Sequence, residues 1–161
     1  MAGGGLMYTT QFSNVTITNA IQDIWQFQAA AACSVLIHSW RLTLVPTITS
    51  GVAQDVRVNL QICRRSTTGT GGSAVTPVAV NSRNTVAAST TTTRTVVTTQ
   101  GTIGNILDGE QVSAIVPFER IYTPDQRIVI PAGTGNLLCL FLTTAPGQAF
   151  QGSSEVYFEE I

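Results

Sequence analysis

The residues able to do chemistry are few and scattered. His38 is the only histidine among 161 residues, and lysine is absent. A zinc or iron site asks for several nitrogen or sulfur ligands, and no second imidazole exists to join His38. Without lysine, the loop Gly69-Thr70-Gly71-Gly72 lacks the side chain that reaches terminal phosphates in a P-loop. It reads instead as a hairpin turn whose glycines take positive φ. Schiff-base chemistry and Ser–Lys dyads are lost for the same reason, and no G-x-S-x-G elbow presents a serine. Asp108, Glu110, Glu119 and Asp125 are the acids among which a two-carboxylate hydrolysis would be sought. Each adjoins Gly, Pro or Arg in an apparent turn, where acids solvate or cap. Cys33, Cys63 and Cys139 lack C-x-x-C spacing and read as buried free thiols of a reducing compartment, with a disulfide between two of them left open. The expectation is a protein without a catalytic centre, cofactor or metal.

The elements that would position these residues are short strands. Val15 to Thr18 alternates apolar and polar, as a half-buried strand does. Ala20 to Gln28 carries Ile21, Asp23, Trp25 and Phe27 on one parity, and Asp23 and Asp55 read as strand-edge residues. Ser34 to Val45 places Leu36, His38, Trp40, Leu42 and Leu44 on one face, which makes His38 a core or interface histidine and Trp40 a core residue. Val56, Val58, Leu60 and Ile62 alternate with Arg57, Asn59 and Gln61, the plainest strand in the chain. Thr49-Ser50-Gly51 supplies a turn. Residues 81 to 105 are least legible, and the threonine run from Thr90 to Thr95 fits a strand or a loop equally. Gln111 to Ile121 reads as a strand in which Pro117 marks an edge or a bulge. Leu137 to Leu142 is apolar on both parities and so buried on both faces, against the core and a neighbour. Ser154 to Ile161 sets Val156 and Phe158 opposite Glu155 and Tyr157. No window shows convincing helical spacing. The class is all-β, an antiparallel β-sandwich of jelly-roll type. Residues 1–7 form a glycine-rich flexible arm, and residues 8–161 a single sandwich domain.

Composition narrows the partners. Charged residues make up 11% of the chain against two dozen threonines, and a surface poor in Lys and Glu has shed the groups that are costly to desolvate at an interface. A formal net charge of -1 offers no footprint for nucleic acid; Arg64-Arg65 is the only adjacent basic pair. The longest largely apolar stretch, Ala29 to Ile37 with Ser34 within it, is too short to span a bilayer. No basic residue precedes Arg41, so no signal peptide is read, the Asn14-Val15-Thr16 sequon stays idle, and synthesis in the cytoplasm is expected.

Several segments taken together resemble small tailed-phage virion proteins. They are Met7-Tyr-Thr-Thr-Gln-Phe12, Ala20-Ile-Gln-Asp23, Gly51-Val-Ala-Gln-Asp55, Arg64-Arg-Ser-Thr-Thr-Gly-Thr-Gly-Gly-Ser73, Ala145-Pro146 and Tyr157-Phe-Glu-Glu160. The resemblance covers most of the chain outside roughly 81 to 107. Some proteins of that kind are capsid cement or decoration modules that clamp neighbouring major capsid subunits, commonly as trimers. It therefore implies a homotrimer on the outer surface of a virion head, bound to the major capsid protein, without nucleic acid or membrane contact. The contacts expected are Leu6 and Met7 from the arm with Tyr8 next to it, Tyr157 as an aromatic anchor, and Glu159 and Glu160 against arginines of a neighbouring copy. The alternative is a tail-associated or receptor-binding β-module that touches host glycan, with Tyr122 beside Thr123 as its exposed aromatic.

Overall fold

A computed structural model describes residues 6–47, 56–81, 83 and 92–161. It is an all-β, antiparallel sandwich of two six-stranded sheets. Sheet A runs β10 (Ile128–Ile130), β3 (Val35–Pro46), β12 (Phe150–Glu160), β1 (Leu6–Ile17) and β6 (Val78–Ala79), with β9 (Phe118–Ile121) pairing the same edge of β3 as β10. Sheet B runs β5 (Ser73–Val75), β7 (Thr92–Val97), β2 (Gln22–Gln28), β11 (Leu137–Leu142), β4 (Arg57–Arg65) and β8 (Ile103–Ser113). The turn of Thr49 to Gly51, the sequence around Asp55 and most of 81 to 91 lie outside the described residues.

The core forms where the alternating apolar residues of both sheets meet. Val58, Leu60 and Ile62 of β4 and Leu138, Leu140 and Leu142 of β11 face Trp40, Leu42, Leu44, Val156 and Phe158 of sheet A. An aromatic chain ties the layers. Tyr8 stacks on Phe158 at 5.7 Å between ring centroids, Phe158 meets Phe27 edge-on at 5.4 Å, and Phe27 meets Trp25 at 5.1 Å. Such pairs add to the burial of their large apolar surfaces.

Three sequence readings are corrected by register. The face of β3 switches at His38, because Phe158 opposes Ile37 while the preceding Tyr157 opposes Ser39. One residue of β3 is therefore extra, a bulge. Val35 and Ile37 point inward before it and Trp40, Leu42 and Leu44 after it, so Leu36 and His38 turn outward. The stretch Gln111 to Ile121 is two strands, with Pro117 in the turn between β8 and β9, where its missing N–H costs no ladder bond. Finally, Leu6 and Met7 are strand residues opposite Glu160 and Glu159, so the ordered body begins before residue 8. The bulge in β1 between Phe12 and Val15 puts Asn14 at φ 53°, a conformation asparagine tolerates better than most residues. Gly71 and Gly72 take positive φ, as their loop demands.

Candidate functional site

The outer faces of the two sheets differ. On sheet B part of the outward surface of β2, β4 and β11 is sealed, while Arg57, Asn59 and Gln61 of β4 stay at least partly open. Asp23, Gln26, Cys63, Arg65, Cys139 and Phe141 are all buried. Arg65 and Asp23 form a two-pronged ion pair, Nη2 to Oδ1 at 2.5 Å and Nε to Oδ2 at 2.9 Å, with both side chains fully out of solvent. The segments flanking Thr67 and Gly101 close over it. Arg65 donates from Nη1 to the Gly101 carbonyl at 2.7 Å, and Gly69 N–H donates to Gln26 Oε1 at 3.3 Å. A Cβ on Gly101 would collide with the Thr67 carbonyl. The sequence reading of Asp23 as an edge residue is thus corrected: it is a buried anion neutralised by Arg65. The sequence held one clue. A strand apolar on both parities, Leu137 to Leu142, requires a cover on its outer side, and whatever lies beside it on β2 and β4 is buried with it.

The outer face of sheet A has no such cover among the described residues. Register arranges its outward side chains in cross-strand rows. One row runs Val129, Leu36, Glu159, Met7, with Val80 joined to Met7 through its backbone. The next runs Ile121, Ser39, Tyr157, Thr9 and Val78. A third, Glu119, Arg41, Glu155 and Gln11, alternates charge. Apolar residues occupy both ends of the first two rows, with Ile121 70% and Val78 62% exposed. The middle is polar. Glu159 accepts from or pairs with His38 Nε2 at 3.1 Å, and Thr9 donates to Glu155 at 3.4 Å. A hydrogen bond to Glu155, some burial and the nearby charges of Glu155 and Glu119 push the Tyr157 phenol above its ordinary pKa. Beside the third row, a depression of about 180 Å³ is lined by Gln11, Phe12, Ser13, Arg41, Thr43, Ser153, Ser154 and Glu155.

Of the residues expected at an interface, the structure brings Met7, Tyr157 and Glu159 onto this one face. Leu6 and Glu160 oppose each other at the end of the same strand pair, β1 and β12. Tyr8 is not on the face: it is 0% exposed, because the alternation of β1 turns its ring into the aromatic chain. Tyr122 is buried as well and accepts from Trp40 Nε1 at 3.2 Å, so it offers no ring to a glycan. Sequence reasoning missed Val78, Ile121 and Val129, which sit in short edge strands whose facing only pairing reveals.

Of the four acids singled out, Asp108 and Glu110 of β8 line one small cavity with Trp40, Leu60, Ile62 and Phe118. Asp108 of β8 bonds Arg120 of β9 at 2.9 Å, linking the two sheets at their open edge. The depression there, about 190 Å³, is lined by Leu107, Asp108, Arg120, Tyr122, Gln126 and Ile128, with Asp108 its one carboxylate. Among the described residues no group of three His, Cys, Asp or Glu side chains is placed to hold a metal. No family model, curated protein or solved structure matches the chain.

Proposed function

We propose that the protein is a docking module of a virion, a capsid cement or decoration protein that lays the outer face of sheet A against neighbouring chains, its own copies and the major capsid protein. The observation that carries this reading is the asymmetry between the two faces. Among the described residues, loops cover the Asp23, Arg65, Cys63 and Cys139 region of sheet B, whereas the outward rows of sheet A are left without a cover and carry apolar residues at both margins. Val78 and Val80 expose apolar surface at one margin and Ile121 and Val129 at the other. Charge on this face is confined to Glu159 beside His38 and to the row Glu119, Arg41 and Glu155, where opposite signs alternate.

Connectivity supports the virion part of the reading. Eight strands follow the order β1-β12-β3-β10 in one sheet and β2-β11-β4-β8 in the other, an order that favours a jelly-roll reading with its two Greek keys. In this reading β5, β6 and β7 are an insertion between β4 and β8 that extends the far edges of both sheets. Jelly rolls recur in viral capsid and lectin domains, which is a fold-level analogy. A module that binds only an assembled shell stabilises it by mass action. The test is to fractionate particles from the source into heads and tails and assay each for this protein. Presence on heads, with a trimeric mass in solution, is the expected result; absence from heads overturns the cement reading.

A second reading, a tail module that contacts host glycan, draws on the depression of Gln11, Ser13, Arg41, Thr43, Ser153 and Glu155, which is rich in hydrogen-bonding groups. Recovery in tails alone would favour it.

A further inference from the structure

Cys63 and Cys139 are directly opposed residues of the antiparallel pair β4–β11, with sulfurs 3.0 Å apart. Both are fully buried, whereas Cys33 is half-buried in the loop between β2 and β3. Directly opposed antiparallel residues have Cα atoms about 4.5 or 5.5 Å apart. Both spacings lie inside the range of roughly 4.4–6.8 Å that a disulfide bridges. Closing the bond asks for about 1 Å of sulfur approach, from 3.0 Å to the usual S–S length.

The surroundings divide the two thiols into different roles. The hydrogen bond from Cys139 lowers the Cys63 thiol below its ordinary pKa; burial opposes this, the Arg65 guanidinium assists it, and the Asp23 carboxylate counters Arg65. The same hydrogen bond, with burial, raises Cys139. Of the two thiols, Cys63 is the one its surroundings favour for ionisation. The thiolate is the form that reacts. Arg65 is held beside it by Asp23 and lies over Phe141 with its Cζ 4.9 Å from the ring centroid.

We propose that Cys63 and Cys139 are an oxidation site, a dithiol that peroxide converts into a disulfide pinning β4 to β11. The Cys63 thiolate attacks one oxygen of hydrogen peroxide; the S–O bond forms, the O–O bond breaks, and the hydroxide released takes up a proton to leave as water. The Cys139 sulfur then attacks the Cys63 sulfenic acid; the S–S bond forms, the S–O bond breaks, and the departing hydroxide carries away the Cys139 proton as a second water. Two thiols lose two electrons and one peroxide becomes two waters. Both thiols are buried, so the reaction runs through local opening of the fold, which native proteins undergo. The chain can thus fold with its thiols reduced and be stapled later, on meeting an oxidant. The inference stands apart from the docking reading.

The test uses the full chain carrying Cys33→Ala, which removes the third thiol at a half-exposed site. Folded protein is treated with hydrogen peroxide, alkylated after denaturation and digested with trypsin. The expected result is a linked pair of peptides containing Cys63 and Cys139 from one chain, released by reductant. The linked peptide is the proper readout, since Met7 also takes up oxygen from peroxide. The bond closes a loop spanning 76 residues, so the thermal midpoint of the oxidised protein should rise by on the order of 10 °C. Full alkylation of both thiols after treatment, over-oxidised cysteines without a linked peptide, or linkage only between different chains would each overturn the proposal.

Discussion

At the scale of single residues, the buried Asp23–Arg65 pair is the most exposed to disruption by mutation. Removing one partner strands the other charge beneath a closed cover. Arg65→Leu is expected to cost about 3–5 kcal/mol, whereas the double substitution Asp23→Leu with Arg65→Leu should cost less than either single change. Urea unfolding of the three variants measures both effects, and a double mutant no better than Arg65→Leu would show that the pair is not the source. Tyr8 makes a second case, because position near the start of the chain suggested an anchor while burial assigns a core ring. Tyr8→Ala should lose about 3–5 kcal/mol, as large aromatic truncations in cores do. Met7→Ala, on the outer face, should stay within about 0.5 kcal/mol of the parent. Tyr122 gives the pH dependence. Burial raises its phenol above 10.0, with the Trp40 bond and Arg120 working in the opposite direction and Asp108 adding to the rise. A folded pKa above the unfolded one means that its contribution is full below pH 10 and is lost as pH climbs through the folded value. Urea midpoints measured from neutral to strongly alkaline pH should fall in the parent and fall less in Tyr122→Phe.

At the scale of elements, what could be read from the chain depended on whether alternation stayed in phase. Val58 to Ile62 alternates without interruption, and β4 lies where that pattern places it, with its three apolar residues in the core. Leu137 to Leu142 declared burial on both faces by being apolar on both parities, and all six residues are buried. The pattern failed where a bulge inserts one residue. His38 and Leu36 share a parity with Trp40 and Leu42, yet the extra residue in β3 sends them to opposite faces. A one-residue slip reverses every side chain beyond it, and nothing local to Ile37-His38-Ser39 announces the slip. Long-range pairing was equally silent. The cross-strand rows of sheet A depend on β9 and β10 lying end to end along β3, which requires the turn at Pro117 and the 3-10 turn at Pro124–Gln126. The candidate face was therefore half legible: Met7, Tyr157 and Glu159 stood out by type and place, whereas Val78, Ile121 and Val129 acquired meaning only from their neighbours across the sheet.

At the scale of the whole molecule, β1 and β12 are adjacent in the middle of sheet A, paired from Leu6 opposite Glu160 to Ile17 opposite Phe150. Their outward side chains are the centre of the uncovered face, and their inward ones, Tyr8, Val156 and Phe158, belong to the core. One strand pair thus holds the fold together and presents its surface, which allows docking to be tested apart from folding. Ile121 and Val78 sit at opposite ends of one row, on strands that contribute little to the core. Placing a carboxylate at each, Val78→Asp with Ile121→Asp, removes apolar contact at both margins and sets a charge where a partner would have to desolvate it. Because both side chains are largely exposed, the thermal midpoint should move by only a few degrees or less. Self-association measured by light scattering, and binding to heads stripped of the protein, should each weaken at least tenfold, the ratio that about 1.4 kcal/mol produces. The control is the same pair of substitutions at Ile103 and Ile106 on β8, which are also exposed but lie on the edge of sheet B. If that control disrupts association and the sheet A variant does not, the docking surface is the β8 edge and the uncovered face of sheet A is not the one that meets a partner.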